Sequence, residues 1–126
     1  GGTGFLGSHV VPLLVSRGAR VVVMARDAMD TVEYKRRVFF GEVPREEQEE
    51  KSRKVECVRG SVEDKETMSR EVKRTKPTIL IHMAGIVLHS RKGPNPPHSV
   101  EEMNRVNVQG SINAMEVAIE EDVKRS

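Results

Sequence analysis

The first seven residues place glycine at Gly1, Gly4 and Gly7 and run directly into an apolar stretch with helical spacing. A helix entered through such a turn presents unsatisfied backbone N–H groups and the positive end of its dipole, which together attract an anion such as a pyrophosphate. Glycines there let the backbone approach the phosphates more closely than a Cβ would allow. Three spaced glycines alone are a weak signal. Here they are followed by one helix, Gly18 and a β-branched run ending at Ala25-Arg26, the context that a dinucleotide site requires. Few other residues could do chemistry. His9, His82, His89 and His98 show no metal-ligand spacing, so no metal site is expected. Cys57 is the lone cysteine in an apolar-leaning run and is expected to pack as a small hydrophobe.

The elements that must carry the turn are legible from periodicity. Leu6, Val10, Leu13 and Leu14 mark a helix that stops at Arg17-Gly18. Pro12 inside it removes one backbone hydrogen bond, at a cost of about 3 kcal/mol, and predicts a kink near Ser8. Runs at Arg20 to Ala25, Lys54 to Arg59 and Thr78 to Met83 read as strands, the unbroken apolarity of the first suiting a sheet covered on both faces. Lys65 to Thr75 reads as a surface helix N-capped by Asp64. Val100 to Glu120 reads as a long helix with apolar residues at Met103, Val106, Met115, Val117, Ala118 and Ile119 and an interruption at Gly110. The order implies an α/β fold with parallel pairing. Residues 27–53 form a highly charged connection, expected to be a solvated insertion with one exposed helix at Arg45 to Lys51. Residues 86–99, with Gly93, Pro94, Pro96 and Pro97, form a loop at a strand's carboxyl end and so a candidate substrate wall.

Composition narrows the function classes. Hydrophobic residues are 37% and charged residues 32%, polar for a globular domain yet short of the signature of disorder. The 21 basic and 19 acidic residues are interleaved, so no field suited to nucleic acid arises. No run approaches the roughly 18 apolar residues of a membrane span, and the start is glycine-rich rather than basic and then apolar, so a soluble, cytoplasmic segment without membrane contact is expected.

The quoted turn resembles the first turn of the extended short-chain dehydrogenases/reductases, and the resemblance covers the chain apart from 27–53. Residues 1–9, Gly-Gly-Thr-Gly-Phe-Leu-Gly-Ser-His, look most like the branch containing 3β-hydroxysteroid dehydrogenases, sterol dehydrogenases and dihydroflavonol reductases. The resemblance implies a Rossmann-type doubly wound parallel sheet, here one partial domain over 1–126 whose first strand, and everything after the fourth-strand helix, lie outside the chain. It implies NAD(P) held by Gly1, Thr3, Gly4, Phe5, Leu6 and Gly7. An acid commonly ends the second strand and binds the adenosine ribose; Ala25 stands there with Arg26 next, which reads as preference for NADP(H) over NAD(H), the alternative being a solvated strand-end arginine.

The family's Gly-Asp-Leu-x-Asp after the third strand corresponds to Gly60-Ser61-Val62-Glu63-Asp64. Ser61 takes the place of the adenine-binding aspartate, and Val62 supplies an apolar edge to the ring. Ile81-His82-Met83-Ala84-Gly85 matches the turn under the nicotinamide ribose, assigning Met83, Ala84 and Gly85 to the cofactor; His82 reads equally well as a core histidine. Asn107, in Asn107-Val108-Gln109-Gly110-Ser111, matches the asparagine that maintains a helix kink and a water in the proton relay. The family's Tyr-x-x-x-Lys has no counterpart here, since the only tyrosine, Tyr34, is followed by Val38. The implied function is the cofactor-binding part of an oxidoreductase acting on a small secondary alcohol or ketone, first of all a 3β-hydroxysteroid or sterol. Sugar-nucleotide epimerisation, thioester reduction and a non-catalytic dinucleotide-binding module stay open, as does a homodimer of the full-length protein.

Overall fold

The computed structural model describes residues 1–85 and 98–124, and the chain divides into two compact units, Gly1–Gly60 and Ser61–Ser126. Most of the loop proposed as a substrate wall, 86–97, lies outside the described residues.

In the first unit, α1 (Phe5–Ser16) runs unbroken through Pro12 and ends at Gly18, whose φ of 88° lets the Gly18 N–H reach Val15 O and the Ala19 N–H reach Leu14 O, both at 3.0 Å. The helix is apolar on most sides, so spacing alone did not select its buried face. The structure buries Gly7, Val11 and Val15, whereas Leu6 and Leu13, two of the residues whose spacing marked the helix, are 60% and 55% exposed. Gly7 decides this. Only a residue without a side chain fits against the Gly2 backbone, and Val11 and Val15 follow it at four-residue spacing.

Strands β1 (Val21–Ala25) and β2 (Val55–Arg59) pair in parallel, from Val21 opposite Val55 to Ala25 opposite Arg59. The connection between them is more than a solvated insertion. It forms α2 (Val32–Phe39) and α3 (Arg45–Ser52) and sends Ala28, Phe39 and Phe40 into one core with Val11, Val15, Val23, Val55 and Cys57. Phe39 and Phe40 meet edge to face, with ring centroids 6.2 Å apart. Gln48 ties the two helices together, donating to Phe40 O and Val43 O at 3.0 Å each and accepting from Arg36 Nε at 2.9 Å. Two adjacent phenylalanines in a charged stretch have no amphipathic period, which is why the segment's contribution to the core was not visible in sequence.

Asp30 closes the outer edge of β2. Its Oδ1 accepts the Cys57 N–H at 3.0 Å and lies 2.7 Å from the buried Lys35 ammonium. A strand edge left unpaired invites association, and this carboxylate removes one such donor. Cys57 is buried as expected, and burial pushes its thiol up to about 11, so it stays protonated.

In the second unit, α4 (Lys65–Thr75) is capped by Asp64 as predicted, with Oδ1 accepting the Thr67 N–H at 3.1 Å. The long C-terminal helix is continuous: α5 (Val100–Met103), a π-helical segment (Asn104–Gln109) and α6 (Gly110–Glu120). Its irregularity lies in the turn before Gly110 rather than at it. The inward stripe is Val106, Gly110, Asn113, Ala114, Val117 and Ala118; Met115 and Ile119, among the apolar residues that marked the helix, are exposed. Against α4, Lys65 Nζ contacts Glu116 and Glu120 at 2.6 and 2.9 Å.

The strand expected at Thr78 to Met83 does not form as a strand. It shows a single bridge residue at Ile79, and Ile79 and Ile81 are exposed. An apolar run becomes a strand only where a neighbouring edge pairs along its length, and the described residues form a sheet of β1 and β2 alone. No helix among the described residues is long and apolar enough to cross a membrane.

Candidate functional site

The glycine turn at the start of α1 is held by backbone: the Gly4 N–H donates to Gly1 O at 3.2 Å, and the Ser8 N–H to Gly4 O at 2.8 Å. Each glycine has a separate reason. A Cβ on Gly2 would come within 2.6 Å of Val23 Cγ1, so Gly2 lets the turn lie on β1. A Cβ on Gly7 would collide with the Gly2 carbonyl. Gly4 is exposed, and a Cβ there would meet only Gly1 O at 3.4 Å, so protein packing does not demand glycine at this position. What its missing side chain leaves is open backbone at the start of α1.

No side chain caps that start, and no acid lies in its first turn. The first-turn N–H groups and the helix dipole therefore face outward without competition, a fit for pyrophosphate oxygens. Thr3 is half-buried in the turn, while Phe5 and Leu6 extend from it as large exposed apolar groups, Phe5 at 86%. The expected phosphate-binding residues Gly1, Thr3, Gly4, Phe5, Leu6 and Gly7 thus share one local structure.

Arg26 is the first residue beyond β1 and is exposed. Ala25 O accepts the Ala28 N–H at 3.4 Å and the Gly60 N–H at 3.2 Å, which sets Arg26 and Asp27 at the corner of a tight turn tied to the end of β2.

In the second unit Ser61 and Val62 open the way into α4. Ser61 Oγ accepts the Glu63 N–H at 3.1 Å, which leaves its hydroxyl proton able to donate to a ligand. Val62 is held from both sides: its carbonyl accepts Asn113 Nδ2 at 2.8 Å, and Gly110 lies so close that a Cβ there would fall 2.5 Å from Val62 Cγ2. Asn113 is a residue the sequence reading missed. Buried and also accepting Gln109 Nε2 at 3.0 Å, it is the polar member of the stripe Val106, Gly110, Asn113, Val117, and a polar residue in that inward register was the available signal.

Met83 and Ala84 are half-buried and Gly85 is exposed. Gly85 lies beside the π-helical segment, where an added Cβ would meet Asn107 Oδ1 at 3.4 Å, so the structure brings these two predicted site residues together. Ser111 Oγ donates to Asn107 O at 2.6 Å and lies 3.0 Å from His82 Nε2. Ser111 has one hydroxyl proton, so His82 donates from a protonated Nε2. Partial burial holds the His82 imidazole below its ordinary pKa, in keeping with a neutral ring. His82 is thus exposed rather than a core histidine, and it anchors the turn that bears Asn107 through Ser111. π-helical turns concentrate at functional sites because they shift side chains out of regular register.

Comparison with known proteins accords with this geometry. No curated protein sequence matches the chain. The enzyme WbmG of Bordetella bronchiseptica, solved in complex with NAD and UDP, superposes with a TM-score of 0.70 at 30% identity, over 99% of this chain and 34% of that one. UDP-glucose 4-epimerase of Thermus thermophilus, solved with NAD, superposes with a TM-score of 0.61 at 27% identity, over 98% of this chain and 33% of that one. The chain therefore spans about a third of the length of these structures, and its α/β Rossmann-type fold matches their N-terminal part. The family described as GDP-mannose 4,6 dehydratase matches residues 1–126, the whole of the sequence, and the chain belongs to that family within the extended short-chain dehydrogenases/reductases.

Proposed function

We propose that this chain is the dinucleotide-binding part of an enzyme that oxidises and reduces the sugar of a sugar nucleotide, in the course of epimerisation or dehydration. The observation that carries it is the uncapped, acid-free start of α1 behind Gly1, Gly4 and Gly7, in a chain whose whole length matches a sugar-nucleotide dehydratase family. The sterol-like substrate expected from residues 1–9 finds no support among the relatives, whereas WbmG with UDP and UDP-glucose 4-epimerase favour the sugar-nucleotide alternative. When bound, the dinucleotide supplies the acceptor and donor of hydride for a secondary alcohol and its ketone. Within the first unit the start of α1 behind Gly1 to Gly7 would hold its pyrophosphate; Ser61 and Val62 for the adenine and Met83 to Gly85 for the far ribose are what the family resemblance implies. The direct test is to incubate the full-length protein with UDP- and GDP-sugars and, in parallel, with 3β-hydroxysterols, and to identify products by NMR. Turnover of a sterol with none of the sugar nucleotides altered would sink the proposal.

Within that function, Arg26 selects NADP(H). The support is its place at the corner after β1, where Ala25 leaves no carboxylate for a ribose hydroxyl. Converting Ala25→Asp together with Arg26→Asn in the full-length protein is expected to move the NADP/NAD affinity ratio by about tenfold or more, on the order of 1.4 kcal/mol. An unchanged ratio in titration calorimetry would show Arg26 to be a solvated strand-end charge.

Asn107 acts in proton transfer. Its support is its place in a π-helical turn anchored by Ser111 and His82, beside Gly85. Asn107→Ala should lower kcat far more than it weakens cofactor binding. The opposite pattern, weakened cofactor with kcat intact, would mark Asn107 as structural.

A further inference from the structure

Arg59, the last residue of β2, stands opposite Ala25 in the parallel ladder, at the same carboxyl end of the sheet as Arg26. Its Nε donates to Ala28 O at 3.2 Å. Ala28 closes the turn that has Arg26 at its corner, since the Ala28 N–H returns to Ala25 O at 3.4 Å. One arginine therefore lies on the turn and the other braces its far end.

Neither guanidinium has a carboxylate partner among the described residues. Asp27, next to Arg26, is exposed and forms no ion pair with either arginine, and the nearby Asp30 is engaged by Lys35 and the Cys57 N–H. Elsewhere the first unit does pair its charges, as in Arg53 with Glu49. Arg59 spends one N–H on Ala28 O, which leaves its two terminal amino groups without an acceptor among the described residues, in the planar fork that suits phosphate oxygens.

We propose that Arg59 is a second specificity-determining residue, forming with Arg26 a two-arginine site for a phosphomonoester, the 2′-phosphate of the adenosine ribose. This rests on the reading of Arg26 as the selector of NADP(H). A single exposed arginine confers modest discrimination because solvent screens it; a second one fixed by Ala28 O adds charge in a set position.

The test measures dissociation constants of NADP+ and NAD+ by titration calorimetry for the full-length protein and its Arg59→Gln, Arg59→Lys and Arg26→Asn variants, with each variant's melting temperature recorded without cofactor. Arg59→Gln is expected to weaken NADP+ by about tenfold and NAD+ by less than about twofold. Arg59→Lys keeps a cation and should hold the affinity ratio within roughly threefold of the parent. Parallel weakening of both cofactors by Arg59→Gln, or a loss in Arg59→Lys equal to that in Arg59→Gln, would mean that only the brace to Ala28 matters and would overturn the proposal. Should Arg59→Gln melt well below the parent, Arg59→Lys decides by the same criterion. If Arg26→Asn lowers the ratio and Arg59→Gln leaves it unchanged, the proposal fails and the reading of Arg26 stands. If Arg59→Gln lowers the ratio and Arg26→Asn leaves it unchanged, the phosphate lies on Arg59 alone and the reading of Arg26 fails. If neither variant changes the ratio, both fail.

Discussion

Replacing Gly7 by alanine is expected to unseat the dinucleotide turn and destabilise the first unit together. In most helices the change would be favourable, because glycine is about 1 kcal/mol worse than alanine in a helix interior. Here the added Cβ would overlap the carbonyl group of Gly2, and what it meets is backbone, not the end of a flexible side chain. Gly2 cannot retreat, since it already lies against Val23 of β1. Relief must come from moving α1 off the strand or opening the turn. Overpacking of this kind costs roughly 1–3 kcal/mol and occasionally more, and contact with constrained backbone puts it at the upper end. For a small domain that is a fall in melting temperature of about 10 °C or more. Because Gly1 and Gly4 belong to the same turn, cofactor affinity should fall by about a hundredfold, near 2.7 kcal/mol. Calorimetry and thermal melting of Gly7→Ala check both numbers. A variant that melts within about 2 °C of the parent and binds dinucleotide equally well would show that the turn does not depend on this approach.

The second large effect is a change of sign at Gly110. Its φ and ψ of −61° and −40° are ordinary helix, so intrinsic propensity favours alanine by about 1 kcal/mol. The obstacle is Val62, whose Cγ2 and Cβ would lie 2.5 and 3.0 Å from the new Cβ. Valine is stiff at χ1 and its carbonyl is pinned by Asn113, so it cannot swing away. Gly110→Ala alone should therefore destabilise by about 1–3 kcal/mol. In a Val62→Ala background, where the methyl groups are gone and only a small shift about the remaining Cβ is needed, the same substitution should be neutral or stabilising by up to about 1 kcal/mol. Denaturant unfolding of the four proteins in the cycle gives the coupling energy directly. Equal effects of Gly110→Ala in both backgrounds would mean that Val62 is not what holds this position to glycine.

Both glycines were visible in the sequence, but the reasons for them were not. The turn, the two paired strands, the Asp64 cap and the Gly18 stop follow from local chemistry: backbone dihedrals, a capping carboxylate, β-branched runs. The glycine turn was legible for the same reason, since Gly1 to Gly7 lie within one stretch of chain. Asn107 was reached by resemblance, and its π-helical setting had no local mark. Asn113 was missed, although its register in the inward stripe was there to be read.

The sequence by itself determined the helices α1, α3 and α4 and the long C-terminal helix, which runs are apolar enough to be strands, and that a helix start here is prepared for an anion, but not α2. Tertiary structure alone decided which face of α1 is buried, since leucines and valines competed and steric exclusion at Gly7 chose the stripe through Val11 and Val15. It decided that a charged connection would place Phe39 and Phe40 in the core, because burial of two aromatic rings outweighs the absence of any period in the residues around them. It also decided that 78–83, apolar enough for a strand, shows only one bridge. Local propensity is a property of the residues in a segment, whereas a face, a core or a ladder is a property of what the rest of the chain brings against it.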